Sequence, residues 1–476
     1  MSTMTNRLLL SVLLLVSTAL SGFAQRRNTV FEPVRFEDGT AVTGDAETEE
    51  LFARDGFRAD TTFTQDGDTL IFLRHASAFV RMHLNGLPAD AGIDRILLVP
   101  MEGESAELPV NVSESGELIV WTAKEPGGLP ASAAVARARD GRTWSARLPA
   151  IDLQPGIAYR RTGTFLTPDA PDVGLTATPL PQTPMDIDSG EYSGIAWIQG
   201  NRYAVVSDNL KGGGIVHFAI PMDTDGIVGQ VRMQQADGTR TAAGNARDCE
   251  GIVYVPTLGT LYVSTEKQEI REYDLAGRET GKALRIPHDL GVENIQPNRG
   301  FEALSYNDST GLFWTTTESP LKQDAFLPRL HRLQTFDIHG APAERFLYQT
   351  DVPVQTASGT TAYVHGIPAL AALDDGRLLV LEREVYVPNG GFWDKLTNSF
   401  TKTDLYLVDP VHDTAGILRK SLLCSFTTGA LDLANFEGMC LGPILPDGRR
   451  TLILIADSQK GAGGLTQEYV KVILLR

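Results

Sequence analysis

Cysteine is scarce: three residues in 476, Cys249, Cys424 and Cys440. A low and odd count excludes a disulfide framework, so stability has to come from packing. One Cys424–Cys440 bridge can be drawn. Three isolated thiols is the simpler reading, with Cys249 a small apolar filler beside Glu250. Basic residues are outnumbered, 42 Lys and Arg against 59 Asp and Glu, for a formal charge of -17. No Lys/Arg cluster interrupts that excess, which excludes a nucleic-acid backbone as partner. Beyond the N-terminus no apolar run approaches the ~18 residues that cross a membrane. The eight histidines form no paired spacing, so a structural zinc site lacks its ligands. No Gly-x-Ser-x-Gly elbow occurs either, which leaves a serine nucleophile without its usual setting.

Hydrophobic residues at 42 % and charged residues at 21 % describe a folded chain. Its length predicts two or three units rather than one core. Residues 1–25 read as a secretory signal: Arg7 supplies the positive start, Leu8 to Val16 is almost wholly aliphatic, and Gly22-Phe-Ala24 ends in small residues. A retained N-terminal anchor is the alternative. The expected location is periplasmic, on the outer surface or secreted, with cell-surface association an option and no transmembrane segment left after cleavage.

Residues 26–165 open on an acidic leader, Asp45-Ala-Glu47-Thr-Glu49-Glu50, and then turn β. Segments such as Ala78-Phe-Val-Arg-Met-His-Leu84 and Glu117-Leu-Ile-Val-Trp121 alternate with turn pairs such as Asn85-Gly86 and Asp140-Gly141. Short, closely spaced strands predict a small antiparallel β-sandwich. Residues 166–184 carry five prolines, too many for a sheet interior, and read as a linker.

From 185 to 476 one pattern recurs five times. A first strand opens on a polar residue, a small one and an aliphatic: Ser193-Gly-Ile, Glu250-Gly-Ile, Glu302-Ala-Leu, His365-Gly-Ile and Glu437-Gly-Met. A second strand ends in an acid: Asp208, Glu266, Glu318, Glu382 and Asp457. Opening residues recur after 57, 52, 63 and 72 positions, the length of a four-stranded blade. The expected fold class is therefore all-β, a β-propeller of five blades, with six as the alternative, preceded by the sandwich. A strand between about Ala158 and Pro181 is expected to complete the last blade, since an unpaired edge invites aggregation.

In such a blade the start of the first strand and the end of the second share one mouth of the channel. That places Asp208, Glu250, Glu266, Glu302, Glu318, Glu382, Glu437 and Asp457 around one opening. Carboxylates so placed raise one another's pKa, and a hard divalent cation such as Ca²⁺ is the natural counter-charge. Arg247, Lys267, Arg299, Arg383 and Lys460 lie close in sequence, as salt-bridge partners or as an anion-binding set.

Ser193-Gly-Ile-Ala-Trp197, Asp248-Cys-Glu-Gly-Ile252, Asn298-Arg-Gly-Phe-Glu-Ala-Leu304, Leu373-Asp-Asp-Gly-Arg-Leu-Leu-Val-Leu-Glu-Arg383 and Asn435-Phe-Glu-Gly-Met439 with Asp457 together resemble the phytase-like domain, described as having esterase-like activity of phytase. The resemblance covers residues 175–476 in the family's order; Cys249 departs from it, where a proline is common. The sandwich portion loosely resembles fimbrillin-like domains. What the phytase-like resemblance implies is an exported propeller acting on a small-molecule phosphate ester or another ester, with calcium as cofactor.

In that scheme the cation is held by Glu250, Glu302, Glu437 and Asp457, with Asp208 and Glu382 as further candidates. Glu266 or Glu318 orients a water, and Arg299 with Lys267 receives the phosphate. Two alternatives stand beside it: a non-catalytic module binding glycan, peptide or protein, and a serine esterase pairing Ser193 with His365.

Overall fold

The computed structural model describes residues 27–42, 46–65, 68–110, 112–170, 174–187, 190–207, 214–234, 249–325, 327, 329–429, 432–457 and 467–476. The signal segment, Asp208, Arg247 and Lys460 lie outside the described residues. The protein is all-β, and no helix among the described residues is long and apolar enough to cross a membrane. All three cysteines are free thiols. The chain divides into two compact units, each gathered from separate stretches.

The smaller unit takes the described residues up to Leu84 with Glu117–Leu129 and Ala150–Thr162. Its main sheet orders the strands Arg35–Phe36, Ile157–Thr164, Ala78–Asn85 and Leu118–Lys124. Phe36, Phe79 and Ala158 are buried there against Phe52 and Trp121, while Val80, Met82 and Leu84 are the buried half of the alternation in Ala78–Asn85.

The larger unit holds five antiparallel sheets in chain order, four of four strands and the last of five. The first comprises Tyr192–Gln199, Arg202–Ser207, Gly214–Ala219 and Arg232–Gln234; the second Cys249–Val255, Thr260–Thr265, Glu269–Tyr273 and Glu279–Ala283. The third comprises Phe301–Asn307, Leu312–Thr317, Leu330–Asp337 and Pro342–Gln349; the fourth Thr360–Ala372, Leu378–Pro388, Phe400–Val408 and Lys420–Gly429. In the fifth, Asn435–Ile444, Arg450–Asp457 and Tyr469–Leu475 are joined by Ala177–Pro179, with Thr183–Pro184 pairing further along Tyr469–Leu475. The proline-rich segment thus supplies the strand expected to complete the last sheet. The first strand of each sheet adjoins that of the next, and the fifth adjoins the first.

A sixth sheet in this unit, formed by Thr143–Leu148, Ser132–Ala138, Ile93–Pro100 and Ala106–Leu108, packs on the third. Val99, Ala133 and Val135 share a core with Leu330, Leu347 and Ile417. Two buried guanidinium groups tie it down: Arg332, gripped by Asp324 at 2.7 and 2.9 Å, donates to the carbonyls of Pro100 and Met101 at 2.8 Å, and Arg345 also donates to Met101.

Two details of register position the site. The pairing of first and second strands slips at Tyr192/Gly194, Cys249/Ile252, Phe301/Ala303, Gly366/Ala369 and Phe436/Gly438. These are β-bulges, which re-aim a side chain at the edge of a ladder. Ser193, Glu250, Glu302 and Glu437, predicted as strand-opening residues, fall on them; in the fourth sheet the bulge holds Ile367 and Pro368 instead of His365. The small residue that follows lets the first strands close up. A Cβ on Gly194 would lie 2.3 Å from the carbonyl oxygen of Glu250, and one on Gly251 2.6 Å from that of Glu302.

The second detail is the phase of the second strands. Trp314 packs toward the fourth sheet with Val380, Leu381 toward the fifth with Leu452, and Ile455 toward the first with Tyr203. Counting by twos, Glu318 and Asp457 therefore face the following sheet. In the fourth sheet that phase belongs to Arg383, while Glu382, in phase with Leu378 and Val380, faces back toward the third. The five-acid repeat read from the sequence is one residue out of step there.

Candidate functional site

Glu250, Glu266 and Glu302 bring carboxylate oxygens within 4.8 Å of one another. Glu250 and Glu302 arrive on the bulges of neighbouring first strands. Glu266 follows the strand Thr260–Thr265 and is fixed by the Gly300 N–H, which donates to its Oε2 at 2.9 Å. That contact requires glycine: a Cβ on Gly300 would lie 2.9 Å from Cα, O and Oε2 of Glu266. Asn298, two residues earlier, has φ 52°, a left-handed turn that asparagine tolerates. Gly300→Ala is expected to destabilise by about 1–3 kcal/mol through this clash and to loosen Glu266; urea denaturation beside a calcium titration checks both.

Burial first, then the charges of Glu250, Glu318 and Glu437, push the Glu302 carboxyl well above the ordinary carboxylate range, against the opposing pull of Arg383.

Glu318 and Glu437, beside the trio, are held in ion pairs. Both oxygens of Glu318 take guanidinium groups, one from Arg299 and one from Arg383. Arg383 also donates to Glu437 at 2.6 Å and to Asn435 Oδ1 at 2.9 Å, and Asn435 Nδ2 donates to Glu437 at 2.8 Å. The Arg383 side chain is 2 % exposed. Burial opposes its charge, but Glu437, Glu318 and Glu302 outweigh that and raise its pKa further. It is a fixed cation stitching the third sheet to the fifth. Burial raises the Glu437 carboxyl as well, against Arg383 and Asn435.

Of the residues predicted from sequence, the structure thus joins Glu250, Glu266 and Glu302 as a trio and places Glu318 and Glu437 in ion pairs beside it. Both oxygens of Glu318, expected to orient a water, are engaged by guanidinium groups. Asp457 ends its strand in register with Asn435. Glu382 lies elsewhere, buried among Lys420 Nζ, the Tyr348 hydroxyl at 2.6 Å and the Asp351 N–H at 2.8 Å. Lys267 is exposed on the turn after Glu266. Arg299 is 30 % exposed, partly open to solvent while holding Glu318.

His365 sits near Arg329, Lys420, Asp351 and Lys402; burial, then Arg329, pushes its imidazole down to about 4. Ser193 lies on the first sheet and His365 on the fourth. Two contributors escaped the sequence reading, Asn435 and Gly300. Their signal was the shared Phe-Glu step, Gly300-Phe-Glu302 and Asn435-Phe-Glu437, in which Phe301 and Phe436 are fully buried anchors.

The trio is an oxygen-only donor set, which fits a hard divalent cation and suits neither zinc nor copper. Three carboxylates are fewer than the six to eight oxygens that Ca²⁺ takes, so water and backbone carbonyls would supply the rest.

Among solved structures, the larger part of the chain is similar to glutaminyl cyclase of Myxococcus xanthus, at 12 % identity and a TM-score of 0.32, covering 63 % of this chain and 98 % of that one. It is also similar to the PQQ-bound form of aldose sugar dehydrogenase from Streptomyces coelicolor, at 14 % and 0.33, covering 64 % and 100 %. For a streptogramin B lyase the values are 11 %, 0.28, 63 % and 98 %. At these scores no site or activity carries across. No curated protein matches the chain. The Phytase-like family model, described as esterase-like activity of phytase, matches residues 187–459, a span that contains the three bulged acids, the Gly300 turn and the Arg383 stitch. The chain belongs to the phytase-like family.

Proposed function

We propose that the five sheets are the blades of a closed propeller whose acidic mouth is a cation-dependent site for hydrolysing small phosphate or other esters. The observation that carries this reading is the convergence of Glu250, Glu266 and Glu302 within 4.8 Å, beside two arginines already committed to other acids. These three would hold the cation, Ca²⁺ by donor type. When bound, it would polarise an ester oxygen and acidify a water. Arg299, partly exposed, keeps guanidinium N–H groups for an anionic ester, and Lys267 offers a mobile second charge one residue from Glu266. Arg383 keeps Glu318 and Glu437 paired. The signal-like N-terminus supports an exported enzyme.

Purified protein assayed on p-nitrophenyl phosphate and phytate is expected to turn over with calcium and to stop with chelator. Arg299→Gln is expected to lower kcat/KM about ten- to a hundred-fold, the loss of one charge-assisted contact. Metal and phosphate binding with no turnover on either substrate would make this propeller a binding module.

A further inference from the structure

The larger unit has a second opening. First strands that begin at the acids end at a cavity of ≈ 200 Å³ lined by Trp197, Tyr254 and Tyr306, with Ile252, Leu304 and Met439 among its apolar walls and Arg450 at its side. These residues lie toward the hairpin ends of their strands, so the cavity is at the opposite end from Glu250 and Glu302.

Arg450 is what sets it apart. Its guanidinium carbon lies 5.7 Å from the Trp197 ring centroid, a cation–π arrangement. Its Nε is buried and has no hydrogen-bond partner among the described residues. The neighbouring Arg449 is paired with Asp447; no carboxylate pairs with Arg450 among the described residues. The two rim acids are engaged, Asp308 accepting from Thr257 at 3.1 Å and Asp374 from Asn307 at 2.9 Å. Both are exposed, so water and salt screen them.

We propose that this cavity binds a small organic carboxylate with an aromatic or aliphatic body: the anion on Arg450, the body between Trp197 and the tyrosines. A buried Nε–H left without an acceptor is costly, and a carboxylate matches the guanidinium's fork of donors. At water's ≈ 30 Å³ share the cavity has room for about six or seven waters, the bulk of a one-ring molecule. The aromatic walls supply stacking and apolar contact, as ligand pockets with few polar groups do.

Phenylacetate is the probe, with phenethylamine as the charge-reversed control, followed by calorimetry and ligand-observed NMR on the full chain. The expected result is saturable binding of phenylacetate and none of phenethylamine. Arg450→Gln is expected to weaken phenylacetate about ten- to a hundred-fold, the value of a charge-assisted contact. Leu441→Trp, which fills the cavity from a half-buried wall position and leaves Arg450 in place, should abolish binding. Glu302→Gln should leave it unchanged. No binding to the wild type, equal binding by Arg450→Gln, equal binding of phenethylamine, or loss of binding in Glu302→Gln would each overturn the proposal.

Discussion

Glu302→Gln is expected to raise the thermal midpoint of chelator-treated protein above neutral pH and to remove the gain that calcium gives the wild type. Glu302 is raised above its ordinary range by burial and by three other acids. A group whose folded pKa exceeds its unfolded value adds stability that is fully present below the unfolded value and is lost as pH rises through the folded one. Metal-free wild type should therefore lose stability from the ordinary carboxylate range upward, and the amide, which cannot ionise, should not. Neutralising an uncompensated charge in such a place gains on the order of 1–4 kcal/mol. A cation at a hundred times its Kd adds about 2.7 kcal/mol to a protein that binds it only when folded. Calorimetric scans at several pH values, with calcium and with chelator, give all four quantities. Equal calcium-induced shifts in wild type and variant would remove Glu302 from the cation site.

Arg383→Met is expected to be the most damaging single change at the site, at about 3–5 kcal/mol. Methionine keeps much of the volume, so packing is not what is lost. What remains is Glu318, 3 % exposed, facing Glu437 with the guanidinium between them gone. Two consequences separate this cause from a cavity effect. Acidification should narrow the deficit, because protonating the two acids removes the uncompensated charge. The triple variant Arg383→Met with Glu318→Gln and Glu437→Gln should recover most of the stability, since a pair is costly to break but cheap to replace whole. Urea denaturation of the single and triple variants at two pH values measures both. A deficit that neither acid nor the triple variant relieves would make Arg383 a packing residue.

Much of the cluster was legible because its signals are local. An acid followed by a glycine or alanine and an aliphatic marks a bulge where neighbouring first strands approach within a Cβ radius, and Glu250, Glu302 and Glu437 all carry that mark. Glu382 failed for an equally simple reason. A strand's period is two, so an acid standing one position before the residue in the inward phase, as Glu382 stands before Arg383, is turned to the other face. Nothing in Leu378-Leu-Val-Leu-Glu382 distinguishes the two settings. The pairing of Glu318 and Glu437 with Arg383 was hidden for another reason: the residues are 65 and 54 positions apart, and only the adjacency of three sheets brings them together.

By itself the amino-acid order determined the repeating strand pairs, the bulged acids and the family, because alternation, turn chemistry and small residues at close approaches act over a few neighbours. The tertiary structure decided which acids converge and which are held by Arg383. It also decided that residues 93–108 and 132–148 pack on the third sheet, through Arg332 and Arg345 reaching the carbonyls around Met101. Charge balance inside a folded chain depends on which side chains of distant strands meet. That is fixed by register and sheet adjacency, which no local pattern records.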